Sequence, residues 1–190
     1  MRYLVAIGGN MPLDGMQPPD VVYEAALRLD SLGMSIAARS TVYRTPAFPP
    51  GSGPDFANAA VVAHSDSAPQ AVLSILHQVE AEFSRERKKR WSGRTLDMDL
   101  LGADGQVLPD EATWRQWYTL PLDRQMQEAP GELILPHPRL QDRAFVLVPL
   151  CEVAPDWMHP VLGRSVSQMC ADLPESDRLA VRIWGDPPCQ

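Results

Sequence analysis

Two kinds of apolar pattern alternate along this chain, and their order constrains the fold more than any other feature. RYLVAIGGN (2–10) is a continuous apolar run closed by a Gly-Gly pair, the pattern of a buried strand ending in a turn. After a Pro-rich loop, Val21, Val22, Ala25, Leu29 and Leu32 recur at helical spacing, with Asp20 placed to cap the helix and Gly33 to stop it. MSIAARSTVYRT (34–45) and FANAAVVAH (56–64) read as two strands in succession. Between them lies PAFPPGSGPD (46–55), a Pro/Gly-dense loop of the kind that shapes or covers a site. In APQAVLSILHQVEAEFSRE, Val72, Ile75, Leu76, Val79 and Phe83 line one side of a helix, and RTLDMDLLGA (94–103) follows as a strand. The order β-α-β-β-α-β predicts an α+β fold: a ferredoxin-like sandwich, its mainly antiparallel sheet carrying helices packed on it.

Beyond that core the patterns weaken. Residues 103–135 read as irregular and Pro-interrupted, with Trp114, Trp117 and Tyr118 inside. HPRLQDRAFVLVPLCEVAP predicts a short helix against the body, and the tail from Leu162 gives no assignment. There is no internal repeat, so the 190 residues are expected to form a single domain with an insert near 103–135. No apolar run reaches membrane-spanning length, and the N-terminus enters a strand-like run without a leader pattern. Cys151, Cys170 and Cys189 are odd in number and widely spaced. Together these features predict a cytoplasmic chain with incidental thiols.

Charge is polarised. Residues 85–94 hold Arg85, Arg87, Lys88, Lys89, Arg90 and Arg94 against Glu86 alone, in a chain whose net charge is -7. A single cationic loop on an acidic body predicts a small, multiply negative partner and argues against a broad nucleic-acid face. Directly after this loop, LDMDLL places Asp97 and Asp99 on one side of a strand and Leu96, Met98 and Leu100 on the other. Two such carboxylates start about 6.6 Å apart at the backbone and can converge on divalent cations. Hard oxygen ligands from few residues, completed by water and phosphate oxygens, are how proteins hold Mg²⁺. Guanidinium forks beside them match phosphate oxygens. A solvated strand face and a solvated basic loop remain the plain alternatives, and Trp91 can stack on a heterocycle or staple the loop.

The chain carries no GxxxxGK[ST] loop, no kinase motif set, no GxSxG and no His/Cys cluster of metal-binding spacing. The attacking group is therefore expected to be a hydroxyl on a substrate.

These residues together resemble the 6-hydroxymethyl-7,8-dihydropterin pyrophosphokinase family of folate synthesis. The resemblance is carried by AIGGN (6–10), YRTPAF (43–48), PDFANAA (54–60), VEAEFSRER (79–87), RWSGRTLDMDLL (90–101) and PHPRLQDRAFVLVPLCEVAPDWMHPVLG (136–163). It implies transfer of the pyrophosphoryl group of ATP to the pterin hydroxymethyl group, with release of AMP. Asp97 and Asp99 are implied as ligands of two Mg²⁺ ions and, with Arg87 and Arg94, as catalytic residues. Glu80, Arg85, Arg87, Arg94, His137 and Arg143 fall at ATP-binding positions. Thr45, Pro46, Phe48, Phe56, Asn58, Trp91 and Phe145 fall at pterin-binding positions. The implied partners are ATP and a reduced pterin, with no nucleic acid and no membrane, for a monomer. The chain departs from the family at Ser84, at SGR (92–94) and in the length of 103–135. Another Mg-dependent phosphotransferase or hydrolase is the main alternative. A ferredoxin-like RNA-binding module is a weaker one, because its aromatic sheet motifs are missing.

Overall fold

The structure, a computed structural model, describes residues 1–47, 51, 53–83, 95–121, 124 and 128–185. Strand β1 (Arg2–Gly9) leads into helix α1 (Pro18–Ser31), then β2 (Ser35–Arg39), β3 (Tyr43–Thr45) and β4 (Phe56–His64). Helix α2 (Pro69–Phe83) and β5 (Asp97–Ala103) complete the core pattern. The remainder holds α3 (Glu111–Thr119), a 3-10 turn (Leu140–Asp142), α4 (Ala144–Val153), α5 (Val166–Asp172), α6 (Glu175–Ala180) and the short β6 (Arg182–Ile183).

In the sheet β5 pairs β1 and β1 pairs β4, while β2 and β3 lie along the far side of β4, and every pairing is antiparallel. Taking β2 and β3 as one interrupted strand, this is the ferredoxin-like order expected from the sequence. The interruption has a local cause. The ladder shifts register between Ile36 and Ala38, and Ser40 then uses its hydroxyl to accept the Ala60 N–H at 2.9 Å.

Both faces of the sheet are covered, which is why β4 is apolar on nearly every residue. On one face Val5, Ile7, Val61 and Leu100 pack against α1 and α2 through Val22, Leu29, Leu76 and Val79. On the other, Leu4, Val62 and Leu101 meet Val146, Leu147 and Leu150 of α4 and Met169 of α5.

Helix ends differ from expectation in instructive ways. Helix α1 starts at Pro18, with Gln17 as its cap, and Asp20 instead accepts the Gln17 N–H at 3.2 Å from the third helical position. Pro18 and Pro19 fill positions whose N–H groups need no helical partner. Its end follows the prediction: Gly33 has φ 87°, its N–H reaches Asp30 O, and Met34 N–H reaches Leu29 O. The segment 103–135 is not wholly irregular. It contains α3, capped by the Asp110 carboxylate on the Thr113 N–H at 2.9 Å. The unassigned tail carries α5, opened by a Ser165–Gln168 capping box, and β6, which extends the sheet beyond β3.

Aromatic packing fastens the extra segment. Leu108 and Leu135 exchange backbone hydrogen bonds at 2.8 and 3.1 Å, closing its base. The buried Trp114 donates its indole N–H to Pro136 O at 2.7 Å, stacks on Tyr118 at 5.0 Å and meets the edge of His159 at 5.1 Å. Trp157 approaches the same imidazole at 5.8 Å. His159 is fully buried, and its Nδ1 accepts the N–H groups of Val161 and Leu162, so the ring proton resides on Nε2, a buried atom without a hydrogen-bond partner among the described residues.

Burial pushes His159 down from 6.5 to about 4. The unfolded chain takes up this proton near pH 6.5 while the folded chain refuses it until about 4. Stability from the neutral ring is therefore complete above pH 6.5 and is lost as pH falls toward 4. The loss is on the order of 3 kcal/mol. Replacing His159 by Asn, whose amide oxygen can take the same two N–H groups, should flatten the fall in Tm between pH 7 and 4.5. Equal falls in both proteins would show that His159 does not carry this term.

Candidate active site

Strand register builds the site before any long side chain enters. Gly8 of β1 lies opposite Asn58 of β4 and Asp97 of β5, and Asn58 in turn opposes Tyr43. One step along, Ala6 opposes Ala60 and Asp99, while Thr45 opposes Phe56. Directly paired residues share a face. Asp97, Asp99, Asn58, Thr45 and Phe56 therefore stand on the same side of the sheet as α4, beyond the end that α4 covers. Between them the sheet offers Gly8 and Ala6, which leave the face open. A Cβ at Gly8 would lie 2.6 Å from Asn58 Oδ1, so any larger residue in this row would have to displace the Asn58 amide.

Asp97 and Asp99 are half-buried, whereas Met98 and Leu100 are buried in the opposite core, as the alternation predicted. The edge strand is held between the two aspartates by Glu80 of α2, whose carboxylate accepts the Met98 N–H at 2.8 Å. Burial raises the pKa of Glu80; the Met98 N–H opposes the rise, and the charges of Asp97 and Asp99 add to it. Farther along, at Leu101, the β1–β5 ladder slips, because Leu4 pairs Gly102 but Val5 pairs Leu100. Leu101 is left over, and its carbonyl accepts the His137 N–H at 2.9 Å. A bulge thus attaches His137 beside the carboxylates. The His137 Nδ1 accepts the Arg139 N–H at 3.1 Å. Burial holds this imidazole below its ordinary pKa; Asp99 opposes the shift and Arg143 reinforces it.

Arg143 stands between the 3-10 turn and α4 and donates to Asp99 Oδ2 at 2.9 Å. Its guanidinium also lies 5.7 Å from the ring of Phe145, which is 40% exposed in the first turn of α4. Across the sheet Asn58 and Thr45 are both buried, and the Asn58 amide donates to Thr45 Oγ1 at 2.7 Å. Phe56 is half-buried and Pro46 exposed. Asn10, which the sequence did not single out as a site residue, donates to Pro54 O at 3.1 Å and ties the Pro/Gly loop to the end of β1.

The fold therefore gathers Glu80, Asp97, Asp99, His137 and Arg143 around one end of β5, with Thr45, Phe56 and Asn58 farther across the same sheet. Phe48, Arg85, Arg87, Trp91 and Arg94 lie outside the described residues. Beside Asp99 runs a cleft of about 480 Å³, bordered by Leu73 and His77 of α2, Leu100, His137, Arg139 and Arg143. Met98 and Pro138 add to this lining, and the far wall comes from Trp117, Glu128 and residues 130–134, which sequence reasoning missed as site residues. No local pattern marks them, because their place depends on how the extra segment docks.

Known proteins resemble this chain over most of its length. The family model for 7,8-dihydro-6-hydroxymethylpterin-pyrophosphokinase matches residues 4–155. The chain is 36% identical to the 2-amino-4-hydroxy-6-hydroxymethyldihydropteridine pyrophosphokinase of Synechocystis sp. over 168 residues, covering 87% of this chain and 73% of that protein. It is 31% identical to the protein of the same name from Pseudomonas aeruginosa, covering 91% of this chain and 92% of its relative. Among solved structures, Plasmodium falciparum HPPK-DHPS A437G with pteroate matches with a TM-score of 0.60 at 14% identity, over 90% of this chain. This chain spans 42% of that longer one, and the likeness shows the shared fold. With most of its length matched by the family model, and with relatives above 30% identity over nearly all of it, the chain belongs to the 7,8-dihydro-6-hydroxymethylpterin-pyrophosphokinase family.

Proposed function

We propose that the open end of this sheet face carries out the reaction of the family: the pyrophosphoryl group of ATP passes to the hydroxyl of a 6-hydroxymethyl-7,8-dihydropterin, and AMP leaves. The observation that carries the reading is the register that puts Asp97, Asp99 and Asn58 on one face, with Arg143 bonded to Asp99 at 2.9 Å.

The donor set fits magnesium. Asp97 and Asp99 offer hard carboxylate oxygens from a half-buried position, and a cation already balances Asp99 in the form of Arg143. Among the described residues no third His, Cys, Asp or Glu completes a metal cluster. The remaining coordination positions then fall to water and phosphate oxygens, which is how Mg²⁺ is commonly bound. Two Mg²⁺ ions held there would supply charge neutralisation on the phosphates and a fixed orientation for the transferring group.

The protein's own groups do the rest. Glu80 holds the strand at Met98, so we read its contribution as passing through the aspartates' positions. Arg143, His137, Arg85, Arg87 and Arg94 supply donors to the polyphosphate, the guanidinium groups as paired forks. Asn58 and Thr45 meet the polar edge of the pterin. Phe145, Trp91, Phe56, Phe48 and Pro46 provide its apolar walls. No covalent intermediate on the protein is needed, and rate comes from positioning and electrostatics. The same reading keeps the partners to ATP and a reduced pterin, with no nucleic acid or membrane, in a cytoplasmic monomer built as one domain. Its support is the acidic balance outside residues 85–94. No helix among the described residues is long and apolar enough to cross a membrane.

Incubating the protein with ATP, Mg²⁺ and hydroxymethyldihydropterin should yield AMP and the pterin diphosphate. ADP or free phosphate as the main product would end the reading. Asp97→Ala and Asp99→Ala should each lower kcat by roughly a thousandfold, the scale of losing a key electrostatic group. Their Tm should stay within a few degrees of the parent, since neither side chain is in a core. Parent-like turnover in either variant would remove that aspartate from the metal site.

A further inference from the structure

Strands β2 and β3 meet β4 out of phase with each other. Arg39 pairs Val61 and Tyr43 pairs Asn58, so residues 40–42 lie opposite residues 59 and 60 with one residue to spare. This second irregularity, beyond the shift between Ile36 and Ala38, decides which way β3 faces. We propose that Glu152, in the last turn of α4, is a positioning residue that pins this bulge and so keeps Thr45 on the pterin-binding face. The proposal rests on the pterin reading above and adds to it a residue that itself touches no substrate.

Three observations carry it. The bulge sets the face. Without the spare residue, the ladder that pairs Arg39 with Val61 would run on in step and put Tyr43 opposite Ala57 and Thr45 opposite Asp55. Ala57 belongs to the α1–α2 core, so both side chains would then turn away from Asn58. Next, the backbone groups that leave the ladder here are taken up by side chains. The Thr41 N–H reaches both Glu152 oxygens, at 2.9 and 3.1 Å, and Thr41 O accepts the Ser40 hydroxyl at 2.7 Å. The same carboxylate accepts the Thr41 hydroxyl at 3.0 Å and the Tyr43 hydroxyl at 3.1 Å, so one side chain grips residues on both sides of Val42. Burial, with the Glu152 charge beside it, holds the Tyr43 phenol above its ordinary pKa and keeps it a donor. Finally, the consequence reaches the pterin edge. Thr45 Oγ1 accepts the Asn58 amide at 2.7 Å, which leaves the Asn58 oxygen turned toward Gly8.

In this arrangement Glu152 acts on Asn58 through β3. An amide presents a donor on one side and an acceptor on the other, so the partner that fixes its rotation fixes what it can recognise. Glu152 is exposed, and hydrogen bonds at such a position add little to stability, so their effect is directional. Phe145 and Glu152 open and close α4 on nearly the same side of the helix, roughly 10 Å apart along its axis. One helix thus ties the aromatic wall of the pterin site to the strand that bears its polar edge.

The test measures, by calorimetry on the full chain, hydroxymethyldihydropterin binding in the presence of a nonhydrolysable ATP analogue and Mg²⁺, and ATP binding without pterin. Hydrogen exchange of residues 41–45 is followed in the same proteins. Glu152→Ala should weaken pterin binding about tenfold, the scale of one misaligned buried polar contact. It should leave ATP affinity within about twofold and speed exchange at 41–45. Glu152→Gln should stay within about threefold of the parent, because its amide oxygen still accepts from Thr41 and its NH₂ can donate to the Tyr43 hydroxyl. In a Thr45→Ala background, Glu152→Ala should cost less than about twofold more, since both act through one contact. Pterin affinity unaltered in Glu152→Ala would overturn the proposal. So would equal losses for pterin and ATP, which mark general loosening, or fully additive losses in the double variant. If the parent binds no pterin or makes no AMP, the reaction assignment fails and the exchange measurement decides. Faster exchange at 41–45 in Glu152→Ala then supports the pin, and parent-like exchange overturns it.

Discussion

The pairing of β1 with β4 on one side and β5 on the other is the constraint from which the rest of the site follows. Because side chains alternate along a strand, a one-residue slip in either ladder would turn Asp97 and Asp99 into the α1–α2 core and expose Met98 and Leu100. That slip is opposed on both faces at once. Val5, Ile7 and Leu100 are buried under α1 and α2, and Leu4 and Leu101 under α4 and α5. The hydrophobic core therefore sets the position of the carboxylates, although neither carboxylate belongs to it. Glu80 adds a local restraint by holding the Met98 N–H where the edge strand has no further ladder partner among the described residues.

The other components attach to the same edge. A bulge at Leu101 frees a carbonyl for His137, the following 3-10 turn delivers Arg143 to Asp99, and the first turn of α4 presents Phe145. Arg143 balances Asp99, and in the proposed reaction the same guanidinium fork would turn to phosphate oxygens. The ion pair means that a half-buried acid need not stand alone against desolvation. The aromatic group of Trp114, Trp157 and His159 performs a related service for the extra segment. It converts what reads as a long loop into a wall held by ring packing and two indole hydrogen bonds, from Trp114 to Pro136 O and from Trp157 to Asp104 O.

Much of this was legible in the sequence, and the reasons differ by residue. The β-α-β-β-α-β order and the shared face of Asp97 and Asp99 follow from periodicity, which a chain expresses locally. Gly33 was readable because a left-handed residue at a helix end favours glycine. The cap of α1 was misplaced because Pro18 and Pro19 look like loop residues while serving as the first helical positions. Helix α3 was missed among prolines, although Asp110 three residues before Thr113 was a usable capping signal. Strand β6 spans two residues and exists through its partner β3, so no pattern could announce it. Trp117 and residues 130–134 reach the cleft only through docking of a distant segment. Asn10 and Glu80 show the same limit in smaller form. Their types were visible, but the backbone groups they hold, at Pro54 and Met98, are set by tertiary contact.

The central claim is that one sheet face binds metal, polyphosphate and pterin together through Asp97, Asp99 and Asn58. A crystal structure with Mn²⁺ in place of Mg²⁺, a nonhydrolysable ATP analogue and the pterin tests it most directly, since Mn²⁺ is located by its anomalous signal. The account predicts anomalous peaks within about 2–2.3 Å of oxygens from both aspartates, phosphate oxygens sharing those ions, and the pterin edge on Asn58. Peaks bound elsewhere, with Asp99 still paired to Arg143 and the phosphates remote from both carboxylates, would contradict it.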